Sequence, residues 1–112
     1  MEAASPLYIY RDPHFAPAGD TVVAAAPLDV VVDAYGGGGL VGEASLSAAF
    51  GGAIVFKEDL TGACFLGVWG KRNAARFKAA LEAQGDVEVI DGAPPARLQH
   101  FSKTGERPKC TR

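Results

Sequence analysis

The sequence holds two thiols and two imidazoles, groups that bind metals or form nucleophile–base pairs: Cys64, Cys110, His14 and His100. A structural zinc site brings two thiolates and two imidazoles together, spaced C-x₂₋₄-C and H-x₃₋₅-H. Neither spacing occurs, so no metal or cofactor is expected. Cys64 could act as a nucleophile only with a histidine in reach. It falls on the apolar side of a strand-like run, where a cysteine is usually an inert small hydrophobe. His14, close in sequence to Asp12 and Asp20, could form a base–orienter pair, but it follows a proline in loop-like sequence and is read as an exposed histidine. No catalytic residue is therefore assigned. Two cysteines this far apart, without C-x-x-C, suggest no disulfide framework, and a reducing, cytoplasmic setting is the default.

Three further stretches look like chemistry. The run SKTGERPKC (102–110) resembles the linker between zinc fingers, but every metal ligand is missing and Lys103 stands where a histidine would. The cluster YGGGGLVGEAS contains Gly37-x-Gly39-x-x-Gly42, whose amides could approach a phosphate at a helix N-terminus. In a four-glycine run that spacing is nearly automatic, and Asp59, about 20 residues on, falls in a connection, so a tight or flexible loop is expected. Lys71, Arg72, Arg76 and Lys78 form a basic patch at the start of a helix, where cations gain nothing from the dipole. A solvated face is expected, with docking of an acidic partner as the sharper alternative.

The elements that would hold these groups fit one small domain: the chain has 112 residues, 48% of them hydrophobic, enough for a single core. The net charge of −2 is unevenly spread. Residues 1–70 carry 2 bases and 8 acids (2 − 8 = −6), and residues 71–112 carry 9 and 5 (9 − 5 = +4). A basic tail and one basic helix face account for this. The N-terminus lacks the apolar core of a secretory signal. Pro27, Asp29 and Asp33 interrupt the longest apolar run before the ~18 residues of a membrane span.

The segment NAARFKAALEAQG (73–85) opens on Asn73 as an N-cap, places Ala74, Phe77, Ala80 and Leu81 on one stripe and closes on Gly85, which predicts a helix. Runs at 53–57 and 63–69, joined through Glu58–Gly62, predict a β-hairpin, and DVEVIDG predicts a strand after the helix. LYIYR (7–11) predicts another strand. Residues 27–39 are open between helix, started by Pro27, and strand, favoured by Val30, Val31 and Val32; residues 43–50 have better helix composition. With one helix there, the chain reads β-α-β-β-α-β: an α+β, ferredoxin-like order with an antiparallel sheet and helices on one face. Residues 1–92 form the domain, and 93–112 a basic, proline-containing tail, partly disordered.

Splitting each strand into its two faces puts Leu7, Ile9, Ile54, Phe56, Cys64, Leu66, Val68, Val87 and Val89 under the helices. The other face carries Tyr8, Tyr10, Val55, Phe65, Trp69 and Ile90. A sheet with helices on one side should show water a mostly polar second face; this one is aromatic and apolar, and something should cover it: the C-terminal segment with Leu98 and Phe101, a second copy of the chain, or a different macromolecule. The expectation is a non-catalytic module, an adaptor or small inhibitor protein, that binds a protein partner or a second copy of itself as a homodimer through those six residues. The alternatives are a cofactor-free enzyme or small-ligand binder of the dimeric α+β barrel type, and a single-stranded nucleic-acid binder similar to RRM domains. For the last, LYIYRD looks like an RNP2 segment, but Thr61-Gly62-Ala63 does not supply the RNP1 pattern and the acidic first part would repel phosphates. Neither nucleic acid nor membrane is expected as a partner.

Overall fold

In the computed structural model, residues 4–13, 22–35, 49–58, 60–61 and 63–102 are described, with the backbone alone at 32–35 and 99–102. Six strands and two helices follow one another as β1 (Ser5–Arg11), β2 (Val22–Pro27), α1 (Leu28–Tyr35), β3 (Ala53–Lys57), β4 (Cys64–Trp69), α2 (Lys71–Glu82), β5 (Val87–Asp91) and β6 (Arg97–Ser102). Ala49 and Phe50 are also helical. The strands form one sheet in the order β5-β1-β2-β4-β3-β6. The α+β class agrees with the sequence reading; the ferredoxin-like order and the all-antiparallel sheet do not. β1 pairs antiparallel with β2, its neighbour in the chain, and parallel with β5, so the sheet is mixed. The chain runs β-β-α twice, with β2 and β4 side by side and antiparallel at the centre.

Two strands went unread in the sequence. β2, VVAAAP, carries three consecutive alanines, each fully buried. Alanine is depleted in strands, but here a small side chain on each face lets elements pack closely. β6 lies in the stretch read as a tail and pairs antiparallel with β3, with a register shift between Val55 and Phe56. Within the ambiguous stretch, Leu28–Tyr35 is helix, with Asp29 in its first turn, where a carboxylate favours the dipole. Leu28 and Val31, three apart, are buried in the core, so burial on one stripe prevails over the extended preference of the valines. Residues 36–48 are outside the described residues.

Helix α2 begins at Lys71, three residues before the start that an Asn73 cap implies. Gly70 is its N-cap, with φ 106° and no side-chain cap. That φ belongs to the left-handed region that glycine tolerates, and it turns the chain from β4 straight into the helix. The Gly70 N–H still donates to Val22 O (2.7 Å), while its carbonyl accepts from the Ala74 N–H (2.8 Å). Asn73 is thus a first-turn residue, and its amide donates to Trp69 O and Phe50 O, 3.1 Å each. The helix ends at an Ala83 C-cap, and Gly85, two residues on, does not have a positive φ.

Both helices lie on one face of the sheet. Leu28, Val31, Ala74, Phe77 and Leu81 join Leu7, Ala24, Ala26, Ala53, Val55, Cys64, Leu66 and Val68 in the main core. Phe50 meets Phe77 edge to face with ring centroids 6.2 Å apart. At about 25 cal/mol per Å² of apolar surface removed from water, this is the dominant stabilising term.

Candidate functional site

The second face of the sheet closes on itself. Val23, Ala25, Ile54, Phe56 and Phe65 form a separate buried cluster, with Tyr8, Tyr10, Trp69, Ala96 and Leu98 packed around it. Tyr10 on β1 and Phe56 on β3 are three strands and four residues apart, roughly 19 Å on a flat sheet. Their ring centroids are 6.4 Å apart. Tyr8 meets Phe65 edge to face at 5.8 Å. Only a strongly coiled sheet brings these rings together.

Gly67, opposite Ala25 on β2 and Ile54 on β3, sits at the middle of that bend. A Cβ there would collide with Ala24 O and stand 2.7 Å from Ala25 Cα. Glycine in a strand often marks such a close backbone approach.

The six residues read as a partner-binding surface therefore divide. Val55 is a correction: it pairs with Leu66 and is buried in the core under the helices. Its neighbours Ile54 and Phe56, expected under the helices, occupy the second face instead. Antiparallel partners share a face, and the hairpin register sets Phe56 opposite Phe65 and Ile54 opposite Gly67. With a side-chain period of two, a slip of one residue exchanges the faces of the whole strand. Phe65 is on the expected face but in its floor, 9% exposed. Tyr8, Tyr10, Trp69 and Ile90 are half-buried around that floor. The pairings Tyr10–Val23–Trp69 and Ile90–Tyr8–Ala25–Gly67 run as two adjacent rows across the sheet.

Tyr10 differs from its neighbours in its polar end. Its hydroxyl is buried with no hydrogen-bond partner among the described residues. Burial first, and the Asp12 carboxylate second, hold its pKa well above the usual tyrosine range.

Beside this face, where β2 passes into α1 and the β3–β4 hairpin turns, lies a groove of about 390 Å³ lined by Pro27, Leu28, Asp29, Thr61, Ala63, Cys64 and Phe65. Its wall is organised by the turn. The Glu58 N–H donates to Ala63 O (3.0 Å), the Thr61 hydroxyl donates to Glu58 Oε2 (3.1 Å), and the Ala63 N–H donates back to Thr61 Oγ1 (3.2 Å). The threonine is thus engaged in holding the hairpin. Cys64 is buried on the helix side as expected, but it is not a free thiol: it is disulfide-bonded. Two cysteines 46 positions apart (110 − 64) can be joined whenever the fold brings their Cα atoms within about 7 Å, so sequence spacing was no guide.

The basic patch is partly drawn onto the fold. Lys71, Arg72 and Arg76 are exposed. The Arg76 guanidinium lies 4.7 Å over the Phe50 ring and donates to Ala49 O at 3.3 Å, while Lys78 pairs with Glu82 at 3.3 Å. His14, Asp20, Gly37, Gly39, Gly42 and Asp59 fall outside the described residues. Among the described residues no cluster of His, Cys, Asp and Glu could hold a metal, and no helix is long and apolar enough to cross a membrane. Set against protein-family models, curated proteins and solved structures, the chain finds no match in any of the three.

Proposed function

We propose that this protein is a non-catalytic binding module, an adaptor or small inhibitor, whose contact surface for another protein is the aromatic rim of the second sheet face. The observation that carries the reading is the pair of adjacent rows holding Tyr8, Ile90, Tyr10 and Trp69, half-buried on the face away from the helices. Tyrosine and tryptophan are enriched in protein interfaces, because each offers a large rigid surface with one polar end. Relative to the sequence reading the surface is smaller, since Phe65 is in the floor and Val55 lies on the other side. Asp12, two residues on from Tyr10, and Glu88, on the same face of β5 as Ile90, put carboxylates beside the rim, which favours a protein over a nucleic acid.

A photo-crosslinking side chain at position 8 or 69, compared with one at Arg72 on the helix side, tests this in native extract and in the purified protein. Crosslinks confined to positions 8 and 69, to a partner or to a second copy, are expected. Trp69→Ala should weaken association at least about tenfold, as truncating an interface anchor costs ~2 kcal/mol or more, with the thermal transition still cooperative. A protein that stays monomeric at all concentrations and crosslinks no more from the rim than from position 72 would sink the reading.

A further inference from the structure

β5 is an outer strand of the sheet, and among the described residues its one strand neighbour is β1. In a parallel ladder alternate residues turn both backbone groups toward the neighbour, and the residues between them turn both away. Two bonds fix which are which in β5. Asp86 O accepts from the Ser5 N–H (2.9 Å), and the Gly92 N–H donates to Ile9 O (3.2 Å). With the register running from Ser5 opposite Val87 to Ile9 opposite Asp91, Glu88 and Ile90 also turn toward β1. Val87, Val89 and Asp91 therefore present N–H and C=O outward, about 6.6 Å from one residue to the next. Those are the groups that an added strand takes up.

The side chains select the kind of strand that fits. We propose that the outer edge of β5 is a docking site for an extended segment of another protein in which basic and apolar residues alternate. Val89 stands opposite the core residue Leu7, on the helix side of the sheet, yet it is 48% exposed. Val87, on the same side, packs against the core. Apolar side chains at alternate positions of the added strand continue that core outward past both valines.

The charges choose the other positions. Glu88, on the opposite face, is exposed, as are Asp86 and Asp91. From Asp86 to Asp91 the chain carries three acids and no base, and none of these carboxylates has an ion pair among the described residues. A lysine or arginine set beside Glu88 is attracted, whereas like charges placed across a strand pair repel. The same rule argues against a second copy as the occupant. Pairing β5 with β5 about a two-fold axis gathers six carboxylates along one seam. The site also goes beyond the aromatic rim, because it works through backbone groups at 87, 89 and 91 rather than through the rings of Tyr8, Tyr10 and Trp69.

The test uses the full chain, labelled with ¹⁵N, and the peptide acetyl-KVKVK-amide at up to about 1 mM, the weak end of specific binding. Its valines match the Val87 and Val89 side and its lysines the Glu88 side. Amide exchange at 87, 89 and 91 should slow about tenfold or more as those N–H groups find acceptors, while exchange at 88 and 90 stays as it was. Acetyl-EVEVE-amide, and a KVKVK peptide with proline at its middle position, should leave all five amides unchanged. Glu88→Lys, at an exposed position, should weaken binding of the lysine peptide about tenfold and let the glutamate peptide bind. No slowing at 87, 89 and 91, or equal slowing by the glutamate peptide, overturns the proposal. Slowing that appears without peptide and grows with protein concentration places a second copy on the edge and overturns it too. Crosslinking from positions 8 and 69 reads the rim separately, so either surface can fail alone.

Discussion

A buried hydroxyl without a partner, like that of Tyr10, forfeits its hydrogen bonds to water and gains none in return. Tyr10→Phe should accordingly leave stability unchanged or raise it by about 1 kcal/mol, measured by urea unfolding at pH 7. The alkaline limb gives a second readout. The folded-state pKa lies above the unfolded value of 10.0, so the native state holds the proton more tightly. Tyr10 thereby contributes stability that is fully present below pH 10 and is lost as the pH rises above it. Wild type should lose stability more steeply than Tyr10→Phe above pH 10, and parallel curves would show that the burial does not persist in solution. At Gly67 the problem is space. Gly67→Ala drives a methyl group into the β2 backbone, and a cost of about 3 kcal/mol is expected in the same urea titration. Asn73→Ala removes two hydrogen bonds to carbonyls from separate segments and should cost about 1–2 kcal/mol, read as a fall in midpoint without a change in slope.

Among the elements, α2 shows how far a sequence can be read and where reading stops. The stripe of Ala74, Phe77 and Leu81 was legible from spacing alone, and all three are buried. Phe77→Ala, which empties a fully buried ring site, should cost about 3–5 kcal/mol, and a loss below 1 kcal/mol would mean that the helix does not rest on the sheet as described. The start of α2 was not legible: Asn73 has the right chemistry for a cap, but Gly70 makes the turn through its backbone, a preference no side-chain pattern advertises. β3 was found at the right place with its faces exchanged, because AIVFK is apolar at every position but the last. An alternating pattern would have fixed the register; a continuous one leaves it to the partner strand. β6 was missed because its flanking prolines and charges resemble a tail, and its pairing with β3 is a property of the assembled sheet.

For the whole molecule, the sequence led correctly to helices on one face and an apolar opposite face, but it could not show the curvature that lets that second face bury itself. Curvature follows from long-range pairs such as Tyr10 with Phe56 and from the close approach at Gly67, neither of which has a local signature. The strand order carries a consequence for how the chain becomes a protein. Both outer strands, β5 beside β1 and β6 beside β3, come from the last part of the described chain. On the ribosome the first hairpin pairs early but stays without its outer neighbour until residues 87–91 have emerged. Pairings of such long sequence separation are slow to form, and an uncovered strand edge is a template for other chains. A nascent chain halted just after α2 thus displays both raw edges at once, so aggregation during synthesis should peak at that length and subside once the final two strands have been made.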